Sequence, residues 1–389
     1  MGIEGMRFEF STASKIIFGP GTVKEVPPLA ARMGKRALVL TGSDPKRAEG
    51  LIGGLKDQGV STALFRVAGE PTTGMVIEGA KIARDEGCDL VIGMGGGSVI
   101  DAGKAVSALV TNPGDLFDYL EVIGKAQPIR IPPAPCIAIP TSAGTGTEVT
   151  KNAVIISKEH RVKVSMRSDM MLPRLVVVDP ELTWSMPPHI TASTGLDALT
   201  QLIEAYVTRR ANPLTDGICR EGLARAARSL LRAYENGADA SARRDMSIAS
   251  LFSGLALANA GLGAVHGFAA PLGGHLQAPH GLICARLLPI VMEANIRALS
   301  ERDSESPALG RYDEIARIIT GDPDADSRSG IRWVSDLCRS LQIPPLAFSG
   351  MSKNDIPDLV KKAMRASSMK GNPVELTDGE LASILEKAL

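Results

Sequence analysis

Two kinds of periodicity divide this 389-residue chain, and they constrain its fold more than any other feature. Up to about residue 185, short apolar runs alternate with segments of helical spacing. Arg36–Thr41 (R-A-L-V-L-T), Val60–Phe65, Asp89–Ile92, Cys136–Ile139 and Leu175–Val178 read as strands. Met75–Arg84 and Ser98–Val110 read as helices between them. Strands that are apolar throughout are buried on both faces, as in a parallel sheet covered by helices. The alternation predicts a Rossmann-like open α/β domain. From roughly residue 190 the strand-like runs almost vanish. Leu196–Val207, Gly217–Tyr234 and Asp245–Ala260 are rich in Ala and Leu, which favour helix. The expected fold class is therefore α/β plus all-α. The pair Pro187–Pro188 interrupts regular structure between the halves. The expected domains are 1–186, binding a nucleotide, and 187–389, helical and carrying a metal and substrate site.

Composition excludes several functions. Lys and Arg total 43, as do Asp and Glu, so no basic surplus points to nucleic acid. Aromatic residues make up only 4%, too few for stacking on bases. No apolar run reaches membrane-spanning length. The opening M-G-I-E-G-M-R-F-E-F lacks the regions of a signal peptide. The five cysteines form no CxxC, so a disulfide framework is not expected and a cytoplasmic location is.

The strand ending at Ile92 runs into G-M-G-G-G-S, Gly93 to Ser98. Ser98 is placed to cap the next helix, with Asp101 where a capping box puts an acid. Consecutive glycines let a ligand approach the backbone, and a helix N-terminus attracts pyrophosphate. A tight turn with no ligand is the plainer reading. A second loop, I-P-T-S-A-G-T-G-T-E-V-T (Ile139–Thr150), follows another strand and offers hydroxyls to phosphate and ribose. The two loops together are more specific than either. At the end of Arg36–Thr41, an acid would bind the adenosine 2′-hydroxyl. Gly42 stands there instead, with Ser43, Lys46 and Arg47 nearby. That favours NADP over NAD, although Asp44 weakens the inference.

In the second half, Asp197 and Gln201 lie one helical turn apart and share a face. Three of the five histidines, His266, His275 and His280, fall within fifteen residues. Pro271, Gly273, Gly274 and Pro279 interrupt any single helix between the first and last of them. Each histidine alone is more often a satisfied polar residue than a ligand. Jointly with Asp197 and Gln201 they can close around one divalent metal.

These runs, with F-G-P-G-T-V near the start, L-P-R-L-V-V-V-D-P-E-L-T, T-G-L-D-A-L-T and the P-L-G-G and P-H-G pair, occur in a highly specific order. The chain resembles the iron-containing (group III) alcohol dehydrogenase family over nearly its whole length. The resemblance implies a nucleotide-binding domain, a helical domain and a cleft between them, in the arrangement shared with dehydroquinate synthase. It implies that Gly95, Gly96, Gly97, Ser98, Asp101, Thr141, Ser142, Thr145 and Lys163 lie along the cofactor. It implies that Asp197, His266 and His280 hold Fe(II) or Zn(II), with Gln201 at a ligand position the family fills with His. Ala270 stands where many relatives carry a His, and Cys284 where they often have Asn. It also implies a homo-oligomer.

An amide oxygen is a weaker donor than imidazole to such metals. Metal held by Asp197, Gln201, His266 and His280, metal recruiting His275 or water, and a metal-free enzyme are all open. The expected chemistry is hydride transfer between NAD(P) and a small alcohol or its carbonyl, assisted by a Lewis acid. With alanine at position 270, His275, a ribose hydroxyl or water is left to relay the proton. The alternatives are a metal-free reductase like maleylacetate reductase, a lyase like dehydroquinate synthase, and a nucleotide-binding protein without catalysis.

Overall fold

The structure is a computed structural model that describes residues 7–160, 162–276 and 278–389. Its first half is built on a six-stranded parallel sheet. The strands are β1 (Ile16–Phe18), β2 (Arg36–Thr41), β3 (Ser61–Arg66), β4 (Leu90–Gly95), β5 (Cys136–Pro140) and β8 (Leu175–Val178), in spatial order β1-β8-β5-β4-β2-β3. Within β2, Leu38 and Leu40 pack on one side of the sheet, with Val76 and Ala102 of the covering helices. Ala37 and Val39 pack on the other, with Leu51 and Leu55. Both faces are thus buried, which is why these strands lack polar alternation.

The chain leaves β2 for β3 on one side, then crosses to β4 on the other. Such a reversal opens a crevice beyond the carboxyl ends of the strands, where open α/β sheets take ligands. Register pairs Thr41 with Met94 and Gly95 with Pro140. The turns at Gly42, Gly96 and Thr141 therefore leave neighbouring strands at the same edge.

The short β1 and an antiparallel hairpin, β6 (Asn152–Ser157) with β7 (Val162–Arg167), were not expected. In the hairpin Ala153 and Ile155 are buried while Val154 is exposed. This one-sided ribbon lies against the Gly97–Thr111 helix and touches the Ala264–His275 helix.

The second half is helical. Its central helix, Pro188–Val207, is buried along almost its whole length from Thr191 onward. It packs against the helices Pro213–Glu235, Ala240–Ala260 and His280–Arg302. Among the described residues, no single helix is long and apolar enough to cross a membrane.

Candidate active site between the two halves

The glycine turn differs in detail from expectation. Strand β4 runs through Gly95, and the helix begins at Gly97 with Gly96 as its N-cap. Ser98 is already inside the helix and no side chain caps it. The leading N–H groups of this helix are thus left for a ligand, an arrangement suited to an anion. Asp101 forms no capping box either. Its carboxylate turns inward, accepting hydrogen bonds from the Thr147 hydroxyl and, at 3.1 Å, the Val154 N–H. Lys104, fully buried, lies 3.0 Å from Asp101 Oδ1 and donates to both the carbonyl and the hydroxyl of Thr147 at 2.8 Å. This network fastens the second loop to the glycine helix.

That loop, Thr141 to Thr150, packs on both halves. Thr141 N–H donates to the Gly95 carbonyl at 2.9 Å. A Cβ on Gly97 would stand 2.7 Å from Thr145 Oγ1, and one on Gly96 3.4 Å from Ser142 Oγ. A Cβ on Gly144 would stand 2.5 Å from Cβ of Thr194, one turn before Asp197. Gly146 (φ +60°) meets the Ala240–Ala260 helix at Gly254, where a Cβ on either residue would fall within 2.3 Å of the other's backbone. Such contact is open only to glycine. The hydroxyl-bearing residues Thr141, Ser142 and Thr145 thus lie between the glycine turn and the helix of Asp197.

At the tip of β2, Gly42 is open on its Cβ side and Ser43 is exposed. The Asp44 carboxylate caps the following turn, accepting from Lys46 N–H at 3.1 Å. Arg47 donates to the Leu182 carbonyl at 2.6 Å, while Lys46 is exposed. Lys163 stands on β7, paired with Glu70 at 2.6 Å, and its ammonium lies 3.1 Å from where a Cβ on Gly273 would be.

Asp197, His266, His280 and Cys284 converge, with one ligand atom from each within 4.8 Å of all the others. Asp197 Oδ1 lies 3.4 Å from His266 Nε2 and 3.8 Å from His280 Nε2. His266 opens the Ala264–His275 helix, and His280 begins the next helix after Pro279. Glu204, buried two turns beyond Asp197, accepts from His266 Nδ1 at 2.6 Å and from Val265 N–H at 2.7 Å. In the neutral ring the lone pair of His266 is therefore on Nε2, the nitrogen aimed at Asp197. Among the described residues, Asp197 Oδ1 is buried with no hydrogen-bond donor. A buried carboxylate oxygen left without a donor is costly unless a cation meets it. The residues fit a divalent metal on that ground.

Electrostatics agree. Burial would raise the Asp197 carboxyl, but His280 and His266 outweigh it and hold it below the usual carboxylate range. Burial would lower His266, yet Cys284, Glu204 and Asp197 raise it well above an ordinary imidazole. His280 is raised against burial by Cys284 and Asp197. The acids that raise the two imidazoles would likewise favour a metal cation among them. The His280 side chain is 36% exposed, so the cluster opens to solvent on that side.

Two expected residues sit differently. Gln201 donates from Nε2 to Asp197 Oδ2 at 3.1 Å, and its Oε1 accepts from the Ser253 hydroxyl at 2.6 Å. His275 ends its helix with Nε2 3.1 Å from Asp355 Oδ1. Sequence reasoning did not draw Glu204 or Ser253 into the site. Glu204 lies on the same helical face as Asp197 and Gln201, which was the available signal.

A glycine turn at the edge of a parallel sheet, tied by one loop to an acid-and-imidazole cluster that fits a metal, is the arrangement of an oxidoreductase of the alcohol dehydrogenase class. Residues 13–180 match the family model described as iron-containing alcohol dehydrogenase, and residues 191–389 its C-terminal counterpart. The chain is 34% identical to the choline dehydrogenase of Bacillus subtilis, across 97% of this chain and 94% of that one. It is 35% identical to alcohol dehydrogenase 4 of Saccharomyces cerevisiae, across 95% and 96%. A crystal structure of 1,3-propanediol oxidoreductase superposes with a TM-score of 0.91 at 31% identity, covering 99% of this chain and all of the other. The chain belongs to the iron-containing alcohol dehydrogenase family.

Proposed function

We propose that the protein interconverts a small alcohol and its aldehyde or ketone by hydride transfer with NADP(H), assisted by a divalent metal at Asp197, His266 and His280. The observation that carries this reading is the Thr141–Thr150 loop, which packs on the glycine turn at one end and on the Asp197 helix at the other. A reaction needing cofactor and cluster side by side gains its orientation from that contact.

Bound at the cluster, Fe(II) or Zn(II) supplies a Lewis acid for an alcohol or carbonyl oxygen. A nicotinamide cofactor held by the glycine turn and the Thr141–Thr150 loop would supply or accept the hydride. The chain's own residues do the positioning. The free N–H groups at Gly97 and Ser98 hold pyrophosphate, with Gly95 and Gly96 allowing its approach. Thr141, Ser142 and Thr145 bind phosphate and ribose, and Lys163 lies along the same crevice. Glu204 keeps His266 in one tautomer, and Gln201 orients the Asp197 carboxylate. Asp101 serves the site by holding the second loop in place. Ala270 is exposed one turn after His266 and offers no proton donor. His275, 38% exposed and paired with Asp355, is the candidate for passing the proton to solvent. An unchanged rate and pH profile in His275→Ala would remove it.

The preference for NADP is supported by the lack of an acid at Gly42, by the tied-down Asp44 and by the exposed Lys46. The donor-less Asp197 Oδ1 favours a metal enzyme over a metal-free reductase. The five cysteines are unpaired, in keeping with the cytoplasm, and the resemblance to the family supports a homo-oligomer. Turnover of NAD(P)H with a panel of aldehydes, before and after chelation, tests the reading. No turnover with any aldehyde, or full activity in metal-free protein, would overturn it.

A further inference from the structure

We propose that Cys284, and not Gln201, completes the metal site, giving an Asp–His–His–Cys ligand set. The inference rests on the metal-assisted reading above and specifies its fourth ligand.

Cys284 lies one turn after His280 on the same helix, so both side chains leave one face. The residue is fully buried. Its Sγ is 3.6 Å from His280 Nε2 and 3.8 Å from His266 Nε2. Those separations, with 3.4 Å and 3.8 Å from Asp197 Oδ1 to the two imidazoles, are comparable to one another. A tetrahedron with bonds of about 2.0–2.3 Å has edges of roughly 3.3–3.8 Å. Four of the six edges fall in this range and all four atoms lie within 4.8 Å of one another; one of them, Asp197 Oδ1, lacks any donor among the described residues.

Gln201 is held out of this figure from both ends. Its Nε2 donates to the far oxygen of Asp197, and its Oε1 is taken by the Ser253 hydroxyl. Turning the amide over would set its oxygen against Asp197 Oδ2 at about the distance now bridged by hydrogen, exchanging an attraction for a repulsion. Gln201 is thus a positioning residue that leaves Oδ1 directed at the centre. When the metal–sulfur bond forms, the thiol proton passes to solvent, and two anionic ligands then face the dication. Sulfur selects borderline and soft ions, Zn(II), Fe(II) and Co(II), over Mg(II) or Mn(II).

The test is spectroscopic. Purified protein, stripped by chelation and reloaded with Co(II), is expected to show a sulfur-to-cobalt charge-transfer absorption in the near ultraviolet. Gln201→Ala keeps the band and Cys284→Ser loses it. Because either variant could misfold, X-ray absorption on the wild-type Zn(II) protein gives a second measurement, with one sulfur expected at about 2.3 Å. A Zn(II) shell of nitrogen and oxygen alone, or a band that survives Cys284→Ser, overturns the inference while leaving the metal-assisted reaction standing. A wild-type protein that takes up neither ion overturns both.

Discussion

Glu204 Oε2 and His266 Nδ1 are 2.6 Å apart in a buried pair, and the other Glu204 oxygen accepts the backbone N–H of Val265. One carboxylate therefore fixes both the tautomer of His266 and the start of the helix that carries it. A glutamine at this position can accept only one of the two donors and must direct an N–H group at the other. Glu204→Gln should weaken metal retention by about 10- to 100-fold, the range for losing a partner behind a metal-binding histidine. Competition with a chelator measures it, and unchanged retention would show that the pair does not prepare the site.

Glu148 predicts how stability varies with pH. Burial pushes its carboxyl up to about 7, with a backbone hydrogen bond and Lys104 opposing but not reversing the shift. The folded state thus keeps a proton that the unfolded chain releases near 4.5. Its contribution is complete below the unfolded value and is lost as pH rises towards 7. The change is about 3 kcal/mol, at ~1.4 kcal/mol per pH unit. Glu148→Gln should flatten the fall in stability between these two values in denaturant titrations, and an unaltered slope would exclude Glu148 as its source.

Cofactor choice can be read at Gly42. No atom lies within 4 Å of a Cβ there, so an acid fits without moving the turn. Gly42→Asp should lower kcat/KM for NADP relative to NAD by at least about tenfold, equivalent to ~1.4 kcal/mol. Equal kcat/KM for both cofactors in the parent, or a strong preference for NAD, would defeat the argument from this turn.

The contact of Gly146 with Gly254 should tolerate no side chain. In Gly254→Ala the new methyl would stand 2.2 Å from the Gly146 carbonyl oxygen, backbone against backbone. Overpacking of this kind costs about 1–3 kcal/mol, and the strain falls on the loop that carries Thr145. Thermal unfolding should show the loss of stability, and the KM for cofactor should rise with it. A normal KM in a destabilised variant would separate the packing role of the loop from its role in cofactor binding.

The legible parts of the fold were those with a local cause. Runs such as Leu90–Ile92 and Leu175–Val178 are apolar because both sheet faces are covered, and a sheet of that kind declares itself in composition. The hairpin β6–β7 was not anticipated, because Asn152–Ser157 follows a Gly/Thr loop and its alternation spans only six residues. The helix it covers, Gly97–Thr111, comes from elsewhere in the chain. The capping role assigned to Ser98 was incorrect for a similar reason. A cap is decided by the residue that turns out of helical geometry, and that residue is Gly96.

By itself the sequence singled out the candidate residues: the acid on one helical face, the paired imidazoles around a proline–glycine break, and the two glycine-bearing turns. Their types and spacings are local properties. Tertiary structure decided how they are used. It turned Asp101 inward to Lys104, drew Gln201 aside between Asp197 and Ser253, and brought Cys284 up to the two histidines. These outcomes depend on distances across helices remote in sequence. Hydrogen-bond partners compete there for the same side chains, and only the folded backbone settles which partner is near enough.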